Sequence, residues 1–194
     1  MTRLTRVCRA VGVGIAVTTA TLAMTQVANA APAPPNLDSA PGIAVPAGNQ
    51  PFLVATVIKG QGVQTYPCIA GKLSTTSVPT AELVGNNDKN VIVHHSKGPT
   101  WTATDGSSVV AARLGDPVTV NDSAIPWLLL KTTKATPGRD GDRLAGTTFI
   151  QRVNTTGGVN PTPGGDCTAD LPVPYTADYY FYKATGNANS KPVT

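Results

Sequence analysis

The stretch Val91–Val109 concentrates the groups of this chain that are able to do chemistry. It contains both histidines, His94 and His95, together with Trp101 and a turn that begins at Asp105. An imidazole can serve as a general base, as a proton shuttle or as a metal ligand. His95 and Asp105 are therefore the candidate catalytic residues, although the sequence alone does not assign them a reaction.

A hydrolase would need a nucleophile beside this pair. Ser96, Ser107 and Ser108 lie nearby in sequence, and His95 with Asp105 would supply the base and its orienting group. However, no G-x-S-x-G nucleophile elbow is present. Serines are also common in turns for backbone reasons. The sequence thus leaves enzyme activity undecided and leans against it.

The histidine pair does not favour a metal site. On a strand, successive side chains point to opposite faces, so His94 and His95 cannot bind one metal ion without a bulge. Zinc usually takes three or four protein ligands, and the chain offers two histidines and scattered aspartates. We predict no metal and no cofactor, and expect one histidine to face solvent while the other supports the turn at Gly98.

Four residues are predicted to bind a ligand: Trp101, Arg152, Tyr180 and Tyr182. Tyr180 and Tyr182 share one face of a strand and Tyr179 the other, so one face belongs to the core and the other is free to stack sugar rings. Trp101 adjoins polar turn residues, so a core role and a ligand-binding role are about equally favoured for it. The second tryptophan, Trp127, is predicted to belong to the core.

Arg152 has two interpretations. On a strand it would share a face with Ile150 and be half-buried, and a half-buried arginine favours an acidic partner such as Asp105 or Asp178. A structural ion pair is therefore the main expectation. The alternative is a clamp for an anion or a sugar hydroxyl.

The elements that must position these residues are short and β-like. No segment keeps a helical period over ten residues, and turn signals recur between the apolar runs. This pattern predicts an all-β fold, a single antiparallel β-sandwich or barrel-like domain with one disulfide. The predicted strands are Phe52–Ile58, Gln64–Ala70, Leu83–Val84, Asn90–His94, Thr100–Thr104, Ser107–Arg113, Val118–Val120, Ile125–Lys131, Thr147–Asn154 and Tyr175–Lys183.

The first 30 residues have the features of a secretory signal peptide. Three arginines precede an apolar run, and Ala28-Asn29-Ala30 fits the small-x-small cleavage rule. We predict a signal peptide over 1–30, a flexible Pro/Ala-rich segment over 31–49 and a single β domain over 50–194. The expected product is secreted, extracellular and without a membrane span after cleavage.

Charge limits the choice of partners. Signal cleavage would remove 3 of the 15 basic residues and leave 12 against 11 acidic ones. A nucleic-acid partner would need a basic patch, and none is present. The partner is unknown from sequence, with a cell-envelope glycan or a small molecule as the expected classes.

Two cysteines remain after cleavage, Cys68 and Cys167. An even count in an exported chain favours a disulfide. The alternative is a metal-binding or redox-active thiol pair, but no other soft ligand lies near either cysteine.

Several motifs occur in an order that resembles the DUF3455 family of exported proteins. The motifs are Tyr66-Pro-Cys68, His95-Ser-Lys-Gly98-Pro99-Thr100-Trp101, Asp105-Gly106-Ser107, Ile125-Pro126-Trp127-Leu128-Leu129, Ile150 to Gly158, Cys167, Val173-Pro174-Tyr175 and Ala177-Asp178-Tyr179 with Phe181-Tyr182. The resemblance implies an exported single domain and a joint role for the two cysteines, and it implies no reaction. His95 matches the family histidine, and His94 fills a place where we expect another residue.

Three functions follow as hypotheses. The leading one is a secreted β-domain protein that binds a glycan or small molecule, or associates with the cell envelope. The alternative is a secreted hydrolase or metal-dependent enzyme centred on His95 and Asp105. A third is a purely structural coat protein of the envelope or spore.

Overall fold

The structure, a computed structural model, describes residues 30–186, and the predicted signal peptide lies outside this range except for its last residue, Ala30. The described chain is a closed eight-stranded barrel with a separate two-stranded hairpin. A 3-10 helix, Pro41–Ile43, precedes β1 (Asn49–Tyr66), β2 (Cys68–Ile69), β3 (Lys72–Leu73), β4 (Val78–Gly85), β5 (Ile92–Ser96), β6 (Thr100–Ala103), β7 (Ser108–Val118), β8 (Trp127–Thr136), β9 (Phe149–Gly157) and β10 (Leu171–Ala184). The all-β prediction is confirmed, and of its two forms the barrel is the one observed.

The barrel closes because its first strand pairs on both sides. Strands β4 to β10 pair with their neighbours in chain order, and β1 pairs antiparallel with both β4 and β10. Closure leaves no free strand edge in the eight-stranded sheet, which removes the usual site of unwanted pairing there. Within residues 30–186, no helix has the length and apolar character needed to cross a membrane.

Strand alternation divides the side chains into an interior set and an outer set. The buried interior cluster includes Val57, Leu83, Val93, Leu130, Ile150 and Phe181. Their chain neighbours point outwards, as expected for a period of two. The same alternation decides which candidate site residues can meet inside the barrel.

Strand β1 joins the predicted strand Phe52–Ile58 to the first three residues of the predicted strand Gln64–Ala70, and Cys68–Ile69 form the separate strand β2. Its pairing with β4 shifts register between Val57 and Gly62. A Cβ atom at Gly62 would lie 2.4 Å from the carbonyl oxygen of Tyr175. Only glycine permits this approach, and a glycine within a strand commonly marks such an irregularity.

The segment before β1, residues 31–48, is packed against the barrel in its central part, and we call it the lead segment. Ala40 and Ile43 are fully buried against Leu129 and Val153 on the outer face of β8 and β9. The outer face carries apolar side chains here, and the packing of this segment removes them from water. Flexibility over the whole range 31–49 stays a prediction.

The disulfide between Cys68 and Cys167 is confirmed, with 5.9 Å between the Cα atoms. It ties the β2–β3 hairpin to the connection between β9 and β10. Backbone hydrogen bonds from Leu73 N to the Gly165 oxygen and from Cys167 N to the Gly71 oxygen, both 2.9 Å, hold the same junction. The hairpin is thereby fixed to the barrel.

Candidate functional site within the barrel

A cavity of about 170 Å³ lies among interior side chains of the barrel. It is lined by Gln64, Ser77, Pro79, His95, Pro99, Trp101, Leu128, Leu130, Arg152 and Tyr179. Pro99 is exposed and Ser77 and Pro79 are half-buried, so the cavity reaches solvent on that side. Three of the predicted site residues, His95, Trp101 and Arg152, meet here.

His95 is held as a neutral imidazole. Its Nδ1 atom lies 3.0 Å from the carbonyl oxygen of Thr100, and because a carbonyl only accepts, Nδ1 must carry the proton and Nε2 the lone pair. Burial lowers the pKa of His95 to about 4, the Thr100 hydrogen bond opposes this shift, and the charge of Arg152 adds to it. The ring is therefore uncharged at neutral pH.

His94 points the other way. Its Nδ1 atom contacts Glu82 Oε1 at 2.6 Å on the outer surface of the barrel. The prediction that strand alternation separates the two histidines is confirmed. In residues 30–186, no three side chains of the His, Cys, Asp and Glu types are close enough to hold a metal ion.

Trp101 carries an unpartnered hydrogen-bond donor. Its side chain is 1% exposed, and the indole Nε1 has no hydrogen-bond partner among the described residues. The ring packs edge-on against Tyr179 and Phe181, with centroids 5.7 and 6.3 Å away. A buried N–H without an acceptor is costly, so this donor is an unsatisfied group at the cavity wall.

Arg152 lacks the acidic partner that the sequence led us to expect. Its Nε and Nη2 atoms donate to the carbonyl oxygen of Pro126 at 3.2 and 2.7 Å. None of the ion pairs in residues 30–186 involves Arg152. The expected structural ion pair is wrong, because Asp178 lies on the outer face and accepts from Asn154, while Asp105 lies at a distant turn.

Gln64 and Tyr179 also line the cavity, and sequence reasoning did not select them. Ser77 Oγ donates to Gln64 Oε1 at 2.6 Å, which leaves the buried Gln64 Nε2 without a partner in the described chain. Tyr179 is the cross-strand neighbour of Arg152. Burial raises the pKa of Tyr179, although the nearby Arg152 charge opposes the shift, so its hydroxyl keeps its proton. No sequence signal marked Gln64, because Gln61 and Thr65 close to it are polar as well.

Asp105 does not join His95. It lies in the β6–β7 turn, at the opposite end of β6 from the Thr100 carbonyl that His95 contacts. Asp105 Oδ1 accepts from Ser107 N and Ser107 Oγ at 2.9 and 2.6 Å, and Oδ2 accepts from Arg143 N at 2.9 Å. Burial alone would raise the pKa of Asp105, but these hydrogen bonds outweigh it and lower the pKa. Its observed contacts are those of a turn anchor.

Tyr180 and Tyr182 lie on the outer face of β10, away from the cavity. Tyr182 is buried, and its hydroxyl donates to Gln151 Oε1 while Gln151 Nε2 donates to the Ile43 oxygen at 2.7 Å. Burial raises the pKa of the Tyr182 hydroxyl. Tyr182 thus joins the lead segment to the barrel, and Tyr180 lies half-buried beside it.

The geometry defines a small up-and-down barrel with an internal cavity lined by both apolar and polar side chains. A family model described as a protein of unknown function (DUF3455) matches residues 74–183. The chain therefore belongs to this family, as the motif order indicated. No curated protein and no solved structure matches the chain.

Proposed function

We propose that this protein is a secreted binding protein that holds a small organic anion inside the barrel. One observation carries the proposal: the Arg152 guanidinium, without a carboxylate partner, lines the same cavity as Trp101, whose buried N–H has no hydrogen-bond partner in residues 30–186. Both groups can only donate hydrogen bonds. The residues that line the cavity include no aspartate or glutamate, so an anionic ligand would meet no opposing charge there.

A carboxylate fits these donors. A guanidinium pairs with a carboxylate through short, charge-assisted hydrogen bonds. The Trp101 N–H and the Gln64 amide would add neutral donors, and the His95 Nε2 lone pair would accept from a hydroxyl on the ligand. A hydroxy or phenolic acid would use both kinds of partner.

The size and lining of the cavity narrow the ligand further. A cavity near 150 Å³ accommodates a ring the size of benzene, and this one measures about 170 Å³. Leu128, Leu130 and Pro79 would contact the apolar body of the ligand. We therefore favour a small aromatic acid, whose ring is the size of benzene and would occupy the cavity.

Location outside the cell is part of the same proposal. The Cys68–Cys167 disulfide supports it, because structural disulfides persist mainly in oxidising compartments. The predicted signal peptide supports it independently. The separation of His95 from Asp105 favours binding over the alternative of an enzyme built on these two residues.

The test uses the fact that the chain has two tryptophans. Replacing Trp127 with Phe leaves Trp101 as the reporter of the cavity. We expect benzoate and salicylate to change its fluorescence saturably and to raise the melting temperature, while benzamide has at least tenfold lower affinity.

Arg152→Gln is the matched variant, because Gln keeps a donor for the Pro126 oxygen but removes the charge. It should fold and lose at least tenfold in benzoate affinity. Equal binding of benzoate and benzamide, or unchanged binding in Arg152→Gln, would contradict the proposal. Loss of an enzymatic activity in His95→Ala would instead support the enzyme alternative.

A further inference from the structure

A second cavity, of about 340 Å³, lies on the outer face of the barrel. The lead segment forms one wall and strands β8 to β10 form the other. Its lining includes Asn36, Asp38, Ser39, Trp127, Asn154 and Tyr180, and we call it the outer groove. It shares no residue with the internal cavity, because Trp127 and Tyr180 alternate with the interior residues Leu128 and Tyr179.

We propose that the outer groove binds a sugar ring. Trp127 and Tyr180 are both half-buried and pack against the outer apolar cluster that includes Ile43 and Val153. Trp127 was predicted to be core, but the barrel places it on this surface. Two aromatic side chains on one wall offer an apolar surface with polar tips, which suits the C–H face of a pyranose.

The polar side chains of the outer groove match hydroxyl groups. Asn36 Nδ2 donates to Asp38 Oδ2 at 3.1 Å, and Asp38 N donates to Asn36 Oδ1 at 2.8 Å. Asn154 Nδ2 donates to Asp178 Oδ2 at 2.9 Å, and its Oδ1 makes no hydrogen bond within residues 30–186. A sugar hydroxyl both donates and accepts, so it can use amide, hydroxyl and carboxylate groups together.

Asn154 has an unusual backbone. Its φ is +51°, in the left-handed region that asparagine enters more readily than most residues. Such conformations persist where the surrounding structure holds them, and they cluster at ligand sites. Here the conformation coincides with the register shift in the β9–β10 pairing between Thr176 and Asp178, and Asn154 lines the outer groove together with Trp127 and Tyr180.

Other ligand classes fit less well. An anion would meet Asp38 and no lysine or arginine among the lining residues. A quaternary ammonium would bind the aromatic rings and Asp38, but it would leave the asparagine and serine donors unused. A neutral sugar is the ligand that uses the whole set.

The experiment isolates Trp127. Replacing Trp101 with Phe leaves Trp127 as the remaining tryptophan, and its fluorescence is titrated with cellotetraose, maltotetraose and chitotetraose up to 20 mM. We expect at least one tetrasaccharide to cause a saturable change, and Asp38→Ala and Tyr180→Ala each to weaken it at least fivefold. His94→Gln, on the outer face of β5, is the matched control and should leave the affinity unchanged.

Three results would overturn the proposal: no response to any of the three tetrasaccharides at 20 mM, an unchanged affinity in Asp38→Ala and Tyr180→Ala, or saturation by choline chloride with none by the sugars. If Trp101→Phe fails to fold, the same titration is followed in the wild-type protein by the indole N–H resonance of Trp127. Trp127→Phe assigns that resonance. Binding in the internal cavity is measured by the fluorescence of Trp101, and binding in the outer groove by the signal of Trp127. Either proposal can therefore fail without the other.

Discussion

The ring of His95 lies flat against the ring of Trp101, with 4.3 Å between centroids and 4° between planes. The two residues are direct cross-strand partners on β5 and β6. The stack fills the interior beside the cavity and holds His95 Nδ1 at the Thr100 carbonyl. The stack therefore sets the orientation of the His95 ring, and the hydrogen bond to the Thr100 carbonyl sets its tautomer.

The buried His95 makes stability depend on pH. Its pKa falls from 6.5 to about 4 on folding, so below pH 6.5 the unfolded chain takes up a proton that the folded protein resists. We expect the free energy of unfolding to decrease between pH 6.5 and pH 4 by about 3 kcal/mol and to level off below pH 4 with respect to this group.

Urea unfolding across this pH range measures the effect. His95→Asn keeps a donor for Thr100 but has no titrating ring, so it should remove most of this pH dependence. The loss in acid should persist in His94→Gln, in which His95 is still buried. Equal slopes in His95→Asn and the wild type would show that another group is responsible.

Asp105→Ala should reduce stability without affecting ligand binding. Asp105 accepts three hydrogen bonds in the β6–β7 turn, and one of these donors, Ser107 Oγ, also accepts from Leu144 N at 3.0 Å. Leu144 is fully buried in the interior cluster. Losing this anchor should cost about 2 kcal/mol, since hydrogen bonds to charged groups are among the stronger ones.

Thermal unfolding and the benzoate titration test this together. Asp140→Ala, at an exposed ion pair with Arg139, is the control and should change stability by less than about 0.5 kcal/mol. A large loss of benzoate affinity in a folded Asp105→Ala protein would contradict the assignment of Asp105 as a turn anchor.

Tyr182→Phe should loosen the lead segment. It removes the donor to Gln151 Oε1, and Gln151 is fully buried, so its carbonyl would remain unsatisfied. We expect a cost of about 1–3 kcal/mol and faster amide exchange near Ile43. Tyr180→Phe is the matched change, because no hydrogen bond to that hydroxyl occurs in residues 30–186, and it should cost less than about 0.5 kcal/mol.

Removing the disulfide should have the largest effect on stability. Cys68 and Cys167 are 99 residues apart in sequence, and loop-closure entropy for such a loop corresponds to about 4–5 kcal/mol. The Cys68→Ser, Cys167→Ser double variant, compared with the wild type by urea unfolding, should show a loss of this order or somewhat less. A change in the free energy of unfolding below about 1 kcal/mol would mean that the backbone hydrogen bonds alone hold the β2–β3 hairpin on the barrel.

Local features of this fold were predictable from sequence. The turn at Asp105-Gly106 forms as expected, with Gly106 N donating to the Ala103 oxygen at 2.9 Å and Gly106 at φ +83°. The opposite orientation of His94 and His95 followed from strand alternation. Such features depend on neighbouring residues, and the sequence determines them directly.

Features that depend on register were not predictable. Barrel closure rests on pairing β1 with both β4 and β10, and only closure brings Gln64 to His95 and Arg152. The expected ion pair of Arg152 failed for the same reason, because β10 presents Tyr179 to the interior and Asp178 to the outside. A shift by one residue would have exchanged them.

The seam between β1 and β10 also governs when this chain is able to fold. Thr56 on β1 contacts Asp178 on β10, 122 positions later, and the lead segment packs on strands that are also made late. Neither contact can form until the strands on both sides of it have been synthesised. Long-range pairing of this kind slows folding, so the barrel would be completed only after β10 has been made.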